Sequence, residues 1–216
     1  MPHRPIHTHL VNGNHDLPRR GGSEPPIAQP EQPTVIVLAA GQGTRFRQSG
    51  GVMHKLDAPL GGVPVLQRVL NAVAASGLPC HVVRPASGVT AVSDGMGDSI
   101  ARGVAATAGA TGWLILPGDL ALVTSDSLLR VAQGLACHPV VQPFWNGRRG
   151  HPVGFGAECF AALTALCGDM GAAAVVQEYR RNGQVLELQV DDSGIVTDID
   201  TLEDLASAEA SLDTPR

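Results

Sequence analysis

The first strong hydrophobic signal is an unbroken apolar run, Val35-Ile36-Val37-Leu38. It does not alternate with polar residues, so it predicts a strand buried on both faces, as in a parallel sheet. The period then becomes helical. Val65, Leu66, Val69, Leu70 and Val73 recur on one face, Pro64 stands where a helix can begin, and Gly77 with Pro79 marks its stop. Cys80–Arg84 predicts a second strand, and strand–helix–strand opens a parallel α/β sheet. Asp98 and Ser99 are expected to cap a helix carrying Ile100, Val104 and Thr107, and Ser125 to cap one carrying Leu128, Leu129, Ala132 and Leu135. Between these helices lies the apolar run Trp113–Leu116. Val140–Trp145 and Arg148–Phe155 flank Asn146-Gly147, a favoured two-residue turn, and so predict a hairpin. Asp169 is a candidate cap for a helix through Tyr179. Val185–Val190 alternates as a strand does, and Thr201 with Asp204 fits a capping box opening the last helix. The expected fold is a three-layer α/β/α domain with a mostly parallel sheet.

Residues Met1–Gln32 are rich in Pro, Gly, Arg and His and show no apolar period. They are expected to be a disordered N-terminal extension, or to follow from a start codon assigned too early, with residues 33–216 forming the domain. His3, His7, His9 and His15 in this stretch are a metal tract on the rival reading.

Chemistry concentrates at three places. The first strand empties into Ala39-Ala40-Gly41-Gln42-Gly43-Thr44 and then Arg45, with Gly50, Gly51 and Lys55 beyond. Glycines let backbone N–H groups approach an anion closely, and the cations neutralise it, which suits phosphates. Phe46 stands where a dinucleotide fingerprint needs its third glycine, and Phe46-Arg47-Gln48 replaces the Gly-Lys-Ser/Thr of a Walker loop. Lys55 is the only lysine among the 15 Lys and Arg residues, a compact ammonium kept beside the glycine loop. Next, the run Trp113–Leu116 ends in Pro117-Gly118-Asp119, delivering a carboxylate at the strand edge where open α/β sheets bind ligands. Finally, Asp198 and Asp200, two apart in an extended segment, project to one face, and the capping box leaves both unexplained. His151 before Pro152 is either a base or a packed, orienting side chain, and Arg148-Arg149 is either a solvated turn or a partner for an anion.

These residues resemble the MobA-like nucleotidyltransferases, in particular the MocA-like branch that acts on the molybdenum cofactor. The matching motifs are Leu38-Ala39-Ala40-Gly41 with Arg45 and Lys55, Gly118-Asp119, Gly147–Val153 with its Gly-His-Pro, Gly168-Asp169-Met170-Gly171-Ala172, and Asp198-Ile199-Asp200-Thr201-Leu202-Glu203-Asp204. The resemblance implies a Rossmann-like nucleotide-diphospho-sugar transferase fold. It also implies Mg2+-dependent transfer of a nucleotide, CMP from CTP in this branch, to molybdopterin with release of pyrophosphate. In that scheme Arg45 and Lys55 are catalytic, and Leu38 through Thr44 together with Ser99 bind the nucleotide. Asp119 and Asp200 hold the metal. His151, Asp169 and Asp198 face the acceptor, with Asp198 also supporting Asp200. A molybdoenzyme or its chaperone is the implied transient partner. Departures from the family pattern are the longer gap from Arg45 to Lys55, Leu120-Ala121 for Met-Pro, Ala173 for an arginine, and only about ten residues between Arg84 and Gly95, where relatives usually add a helix and a strand. Within the same chemistry the alternative acceptor is a sugar or polyol phosphate. Outside it stand an inactive nucleotide-binding regulator and a dinucleotide-dependent oxidoreductase.

Composition narrows the field. Net charge is −5, the pI is about 5.9 and aromatics make up 3%, which argues against a broad nucleic-acid surface or base-stacking platforms. The four cysteines form no CxxC pair, so free and mostly buried thiols in a reducing compartment are expected. No apolar run approaches the roughly 20 residues of a membrane span, and a soluble cytoplasmic protein is expected.

Overall fold

The computed structural model describes residues 32–85 and 95–212, which fall in the compact unit Glu31–Arg216. The histidine-rich leader and most of the shortened stretch after Arg84 lie outside the described residues. In chain order the elements are β1 (Thr34–Leu38), α1 (Thr44–Gln48), β2 (Pro59–Leu60), β3 (Val63–Pro64), α2 (Val65–Ser76), β4 (Cys80–Val83), α3 (Met96–Ala106), β5 (Gly112–Pro117), α4 (Ser125–Gly134), β6 (Val140–Trp145), β7 (Arg148–Arg149), β8 (Val153–Gly156), α5 (Phe160–Thr164), α6 (Ala173–Arg181), β9 (Val185–Gln189) and α7 (Leu202–Leu212).

The main sheet has β1 between β4 and β5, parallel to both, as the unbroken apolar run predicts. β8 enters antiparallel between β5 and β6, and β9 lies parallel to β6. The Asn146-Gly147 hairpin joins β6 to the short β7, and both turn residues have the positive φ that this turn requires. The fold is thus mixed α/β with a mostly parallel central sheet. β2 and β3 form a separate small ribbon.

Side chains alternate across the sheet into two apolar layers. Val35, Val37, Leu114 and Leu116 pack with Val69, Leu128 and Ala208 from α2, α4 and α7. Ile36 and Ile115 pack with Ile100, Leu163 and Val176 from α3, α5 and α6. At about 2 kcal/mol for each fully buried aliphatic side chain, this two-sided burial makes the sheet a firm base for the loops at its edge.

Two expected caps fall elsewhere, and a third closes its helix from inside the first turn. The cap before α4 is Thr124, whose hydroxyl accepts from the Ser127 N–H, one residue ahead of the expected Ser125. α3 begins at Met96 after Gly95, and Asp98 sits inside its first turn, reaching back to the Gly95 N–H at 3.0 Å. Asp169 caps nothing, because α6 starts at Ala173. The capping box of α7 is present, with Asp204 Oδ2 accepting from the Thr201 N–H and hydroxyl, both at 2.8 Å. The thiols are free, but Cys80, Cys137 and Cys167 are exposed and only Cys159 is buried, contrary to expectation. No helix among the described residues is long and apolar enough to cross a membrane.

Candidate active site

β1 and β5 are neighbours, so the loops leaving their carboxyl ends emerge side by side. The Gly118 N–H donates to the Leu38 carbonyl at 2.9 Å, tying the two exits together. Beyond β1, α1 begins at Thr44, and Phe46 turns inward to be almost wholly buried. Gly51 is needed to cover it, because a Cβ there would come within 2.3 Å of the Phe46 ring and 2.8 Å of its carbonyl. Phe46, at the place of a missing third glycine, is therefore a core residue, and Gly51 is a packing residue.

The carboxylates converge. Lys55 opens a 3-10 turn, Lys55–Asp57, and its Nζ donates to Asp119 Oδ2 and to Asp200 Oδ1, each at 2.6 Å. Arg45 Nη1 pairs with the other oxygen of Asp200. Asp119 and Asp200, distant in sequence, therefore meet at one ammonium. Burial alone would draw the Lys55 pKa down, but attraction and hydrogen bonds from Asp119 and Asp200 outweigh it, and the pKa lies above the ordinary 10.5. The lysine thus keeps its charge at neutral pH.

Asp200 arrives on a segment anchored at both ends. Asp192 is buried, with Oδ2 accepting from the Thr124 N–H, the Thr124 hydroxyl and the Ser127 hydroxyl, and Oδ1 from the Gly194 N–H. Farther along, the Ile199 N–H donates to the Asp119 carbonyl at 3.2 Å, holding the two acidic stretches together. Asp204 receives the Asp200 N–H at 3.1 Å. Ile195 and Ile199 are fully buried, while Asp198 and Asp200 both border the cleft, as the two-residue spacing requires.

The cleft holds about 650 Å³ and is lined by Leu38, Ala40, Gly41, Arg45, Lys55, Ser99, Asp119, Arg148, Arg149, His151, Asp169, Asp198 and Asp200, among others. Gln42, Gly43 and Thr44 line an adjoining groove with Arg45, Lys55 and Asp200. Ala39 is the exception among the proposed nucleotide contacts. It lies in the core, and its N–H donates to the Val83 carbonyl. Past His151, Arg149, Met96 and Pro117 the cleft meets a second chamber of about 370 Å³, whose walls include Ile100, Ile115, Val153, Phe155 and Val176.

His151 stands at this junction. Its N–H donates to the Ile195 carbonyl, and its ring Nδ1 is buried without a partner among the described residues. Burial pushes the ring's pKa below the ordinary 6.5, opposed by the Ile115 backbone and by Asp119 and Asp198. The folded state therefore favours the neutral ring, and the unfolded chain takes up its proton first as pH falls. This contribution to stability is full above about pH 6.5 and is lost as pH falls toward the depressed folded value. Between about pH 7.5 and about pH 5.5, the urea midpoint of the wild type should fall further than that of His151→Asn. Equal falls would show that His151 is not held neutral by the fold.

Two residues here escaped the sequence reading. Asp192 had a signal in Asp192-Ser193-Gly194, a turn-forming pattern in which an Asp side chain bonds the backbone two residues on. His54 had none beyond its place next to the single lysine.

Known proteins share this arrangement of elements. A family model described as the MobA-like NTP transferase domain matches residues 35–184. Rv0371c from Mycobacterium tuberculosis H37Rv superposes with a TM-score of 0.65 at 24% identity, covering 83% of this chain and 98% of that one. The same mycobacterial protein has also been solved in complex with manganese. A nucleotidyl transferase from Methanothermobacter thermautotroptrophicus, Mth528, gives a TM-score of 0.68 at 22% identity over 83% and 97% of the two chains. The 4-diphosphocytidyl-2C-methyl-D-erythritol synthase of Anaerococcus prevotii gives 0.62 at 14% identity over 85% and 99%. A search of the curated proteins finds no match.

Proposed function

The chain belongs to the MobA-like NTP transferase family and is a nucleotidyltransferase, and from that premise we propose that it transfers CMP from CTP to molybdopterin with Mg2+ and releases pyrophosphate. Gly147–Pro152 supports the branch, and Asp198–Asp204 matches the wider family's element. The observation that supports this acceptor is the chamber beside His151, whose walls are mainly apolar but include Gln142, Gln177 and Arg149. A phosphorylated acceptor with an uncharged ring body can leave its phosphate in the acidic and basic cleft and bury that body among Ile100, Ile115, Val153, Phe155 and Val176. The polar side chains Gln142 and Gln177 can meet the ring's own hydrogen-bonding groups.

Asp119 and Asp200 are the residues that would hold Mg2+. They fit it, because both offer hard carboxylate oxygens to a common point already filled by a cationic ammonium. Mg2+ commonly binds through one or two carboxylates plus substrate phosphates, so a pair suffices, and no group of three or more metal-ligating side chains is found among the described residues. When bound, the metal neutralises triphosphate oxygens as a Lewis acid.

The protein's own part is positioning and charge. The Gly41–Thr44 backbone holds phosphates, and Ser99 lies on the nucleotide's wall of the cleft. An oxygen of the acceptor phosphate attacks the α-phosphorus, a new P–O bond forms, and the bond to the β-phosphate oxygen breaks. Arg45 and Lys55 take up the charge that builds on the departing pyrophosphate. The acceptor phosphate is already ionised, so no protein nucleophile is required. His151, Asp169 and Asp198 border the acceptor, and Arg148 and Arg149 are the cations on its side of the cleft, where the chain has Ala173 in place of the family's arginine.

Pyrophosphate release from CTP and Mg2+ should be seen with molybdopterin and not with glucose 1-phosphate or methylerythritol phosphate. Turnover with either of the latter alone would make the acceptor a sugar or polyol phosphate. Nucleotide binding without turnover on any of them would support the inactive regulator.

A further inference from the structure

We propose that His54 is a positioning residue that locks the glycine loop to the turn carrying Lys55, presetting one surface for a triphosphate. This rests on the reading of that loop as the nucleotide's phosphate site.

His54 precedes the Lys55–Asp57 turn and caps it, its Nδ1 accepting from the Leu56 N–H at 3.2 Å. A nitrogen that accepts must offer its lone pair, so the ring proton falls on Nε2. Nε2 lies 2.9 Å from the Gly41 carbonyl and therefore donates to it. One imidazole thus bonds the loop with one nitrogen and the lysine's turn with the other.

Packing alone does not hold the loop at Gly41, where a Cβ would meet nothing within 4 Å. At Gly43, by contrast, a Cβ would touch His54 Nε2 at 3.4 Å and Lys55 Cγ at 3.5 Å, so the ring lies directly beneath the loop. The peptide after Gly41 is planar, so a carbonyl held toward His54 directs the Gln42 N–H to the opposite side. Gln42 lines the groove with Arg45, Lys55 and Asp200. The imidazole therefore fixes a backbone donor of the loop relative to the turn that carries Lys55 before any ligand arrives, which lowers the ordering cost of binding.

The two bonds can be separated by substitution. His54→Asn keeps an acceptor for the Leu56 N–H but is too short to reach Gly41. His54→Gln keeps a donor of the reach of Nε2. Unliganded unfolding midpoints and calorimetric titrations with CTP and Mg2+ would be measured on the wild-type full chain and both variants. The expected result is a wild-type midpoint for His54→Asn with affinity for CTP about tenfold weaker, and affinity for His54→Gln restored to within about threefold of wild type. Wild-type affinity in His54→Asn would overturn the proposal while leaving the phosphate-loop reading in place. No CTP binding by the wild type would overturn both.

Discussion

Asp119→Asn and Asp200→Asn should each slow pyrophosphate release by about a thousandfold, which corresponds to about 4 kcal/mol of lost transition-state stabilisation. Each replaces one of the two carboxylates that converge on Lys55 Nζ and would form the metal site. An amide preserves the shape and can still accept from the ammonium, while the surviving carboxylate remains as its counter-ion. The groups are largely buried, with side-chain exposures of 11% for Lys55, 18% for Asp119 and 23% for Asp200, so losing one charge weakens the cluster, while the retained acceptor and the second carboxylate limit the loss. Unfolding midpoints of the unliganded variants should therefore fall only modestly. A rate loss far larger than the small fall in midpoint explains separates a chemical role from a structural one, and near-wild-type turnover in both variants would remove these aspartates from the reaction.

The second large effect is expected at Asp192, which touches no part of the cleft. Asp192→Ala leaves the Thr124 N–H, both hydroxyls of Thr124 and Ser127, and the Gly194 N–H without their shared acceptor. Losing a buried, charge-assisted network of this kind costs about 3 kcal/mol or more. The cost lands on the segment that delivers Asp198 and Asp200, so turnover should fall together with the urea midpoint. Loss of turnover at an unchanged midpoint would mean that Asp192 acts in the chemistry directly.

Much of this was legible in the residues. Unbroken apolar runs placed β1 and β5 inside a sheet, and helical spacing with Pro64 and Gly77 bounded α2. The convergence of Asp119 and Asp200 is implied only by the family resemblance, since nothing local in the sequence says that positions so far apart will meet. They meet because β1 and β5 are adjacent and because Ile199 and Asp192 fasten the last segment to the β5 and α4 ends. Local capping chemistry is also put to tertiary use. Asp98 also accepts from the Gly168 N–H at 2.9 Å, so it joins two distant loops as well as closing a helix end. The entry of β8 between β5 and β6 was not legible, because a hairpin turn specifies its own two strands and says nothing about what the returning strand pairs with on its other edge. The apolar chamber was likewise hidden, since its walls come from β5, β8, α3 and α6 and each reads as ordinary core.

Asp119 and Asp200 are proposed to hold Mg2+ for a nucleoside triphosphate. The most direct test of this is thermal unfolding of the wild type and Asp119→Asn with CTP, GTP, ATP or UTP, each with and without Mg2+. A ligand at about a hundred times its dissociation constant stabilises by roughly 2.7 kcal/mol, well within reach of the method. The expected result is a Mg2+-dependent rise in the wild-type midpoint with CTP above all, and a much smaller rise in Asp119→Asn. An equal rise in both proteins, or one indifferent to Mg2+, would contradict the assignment of these carboxylates.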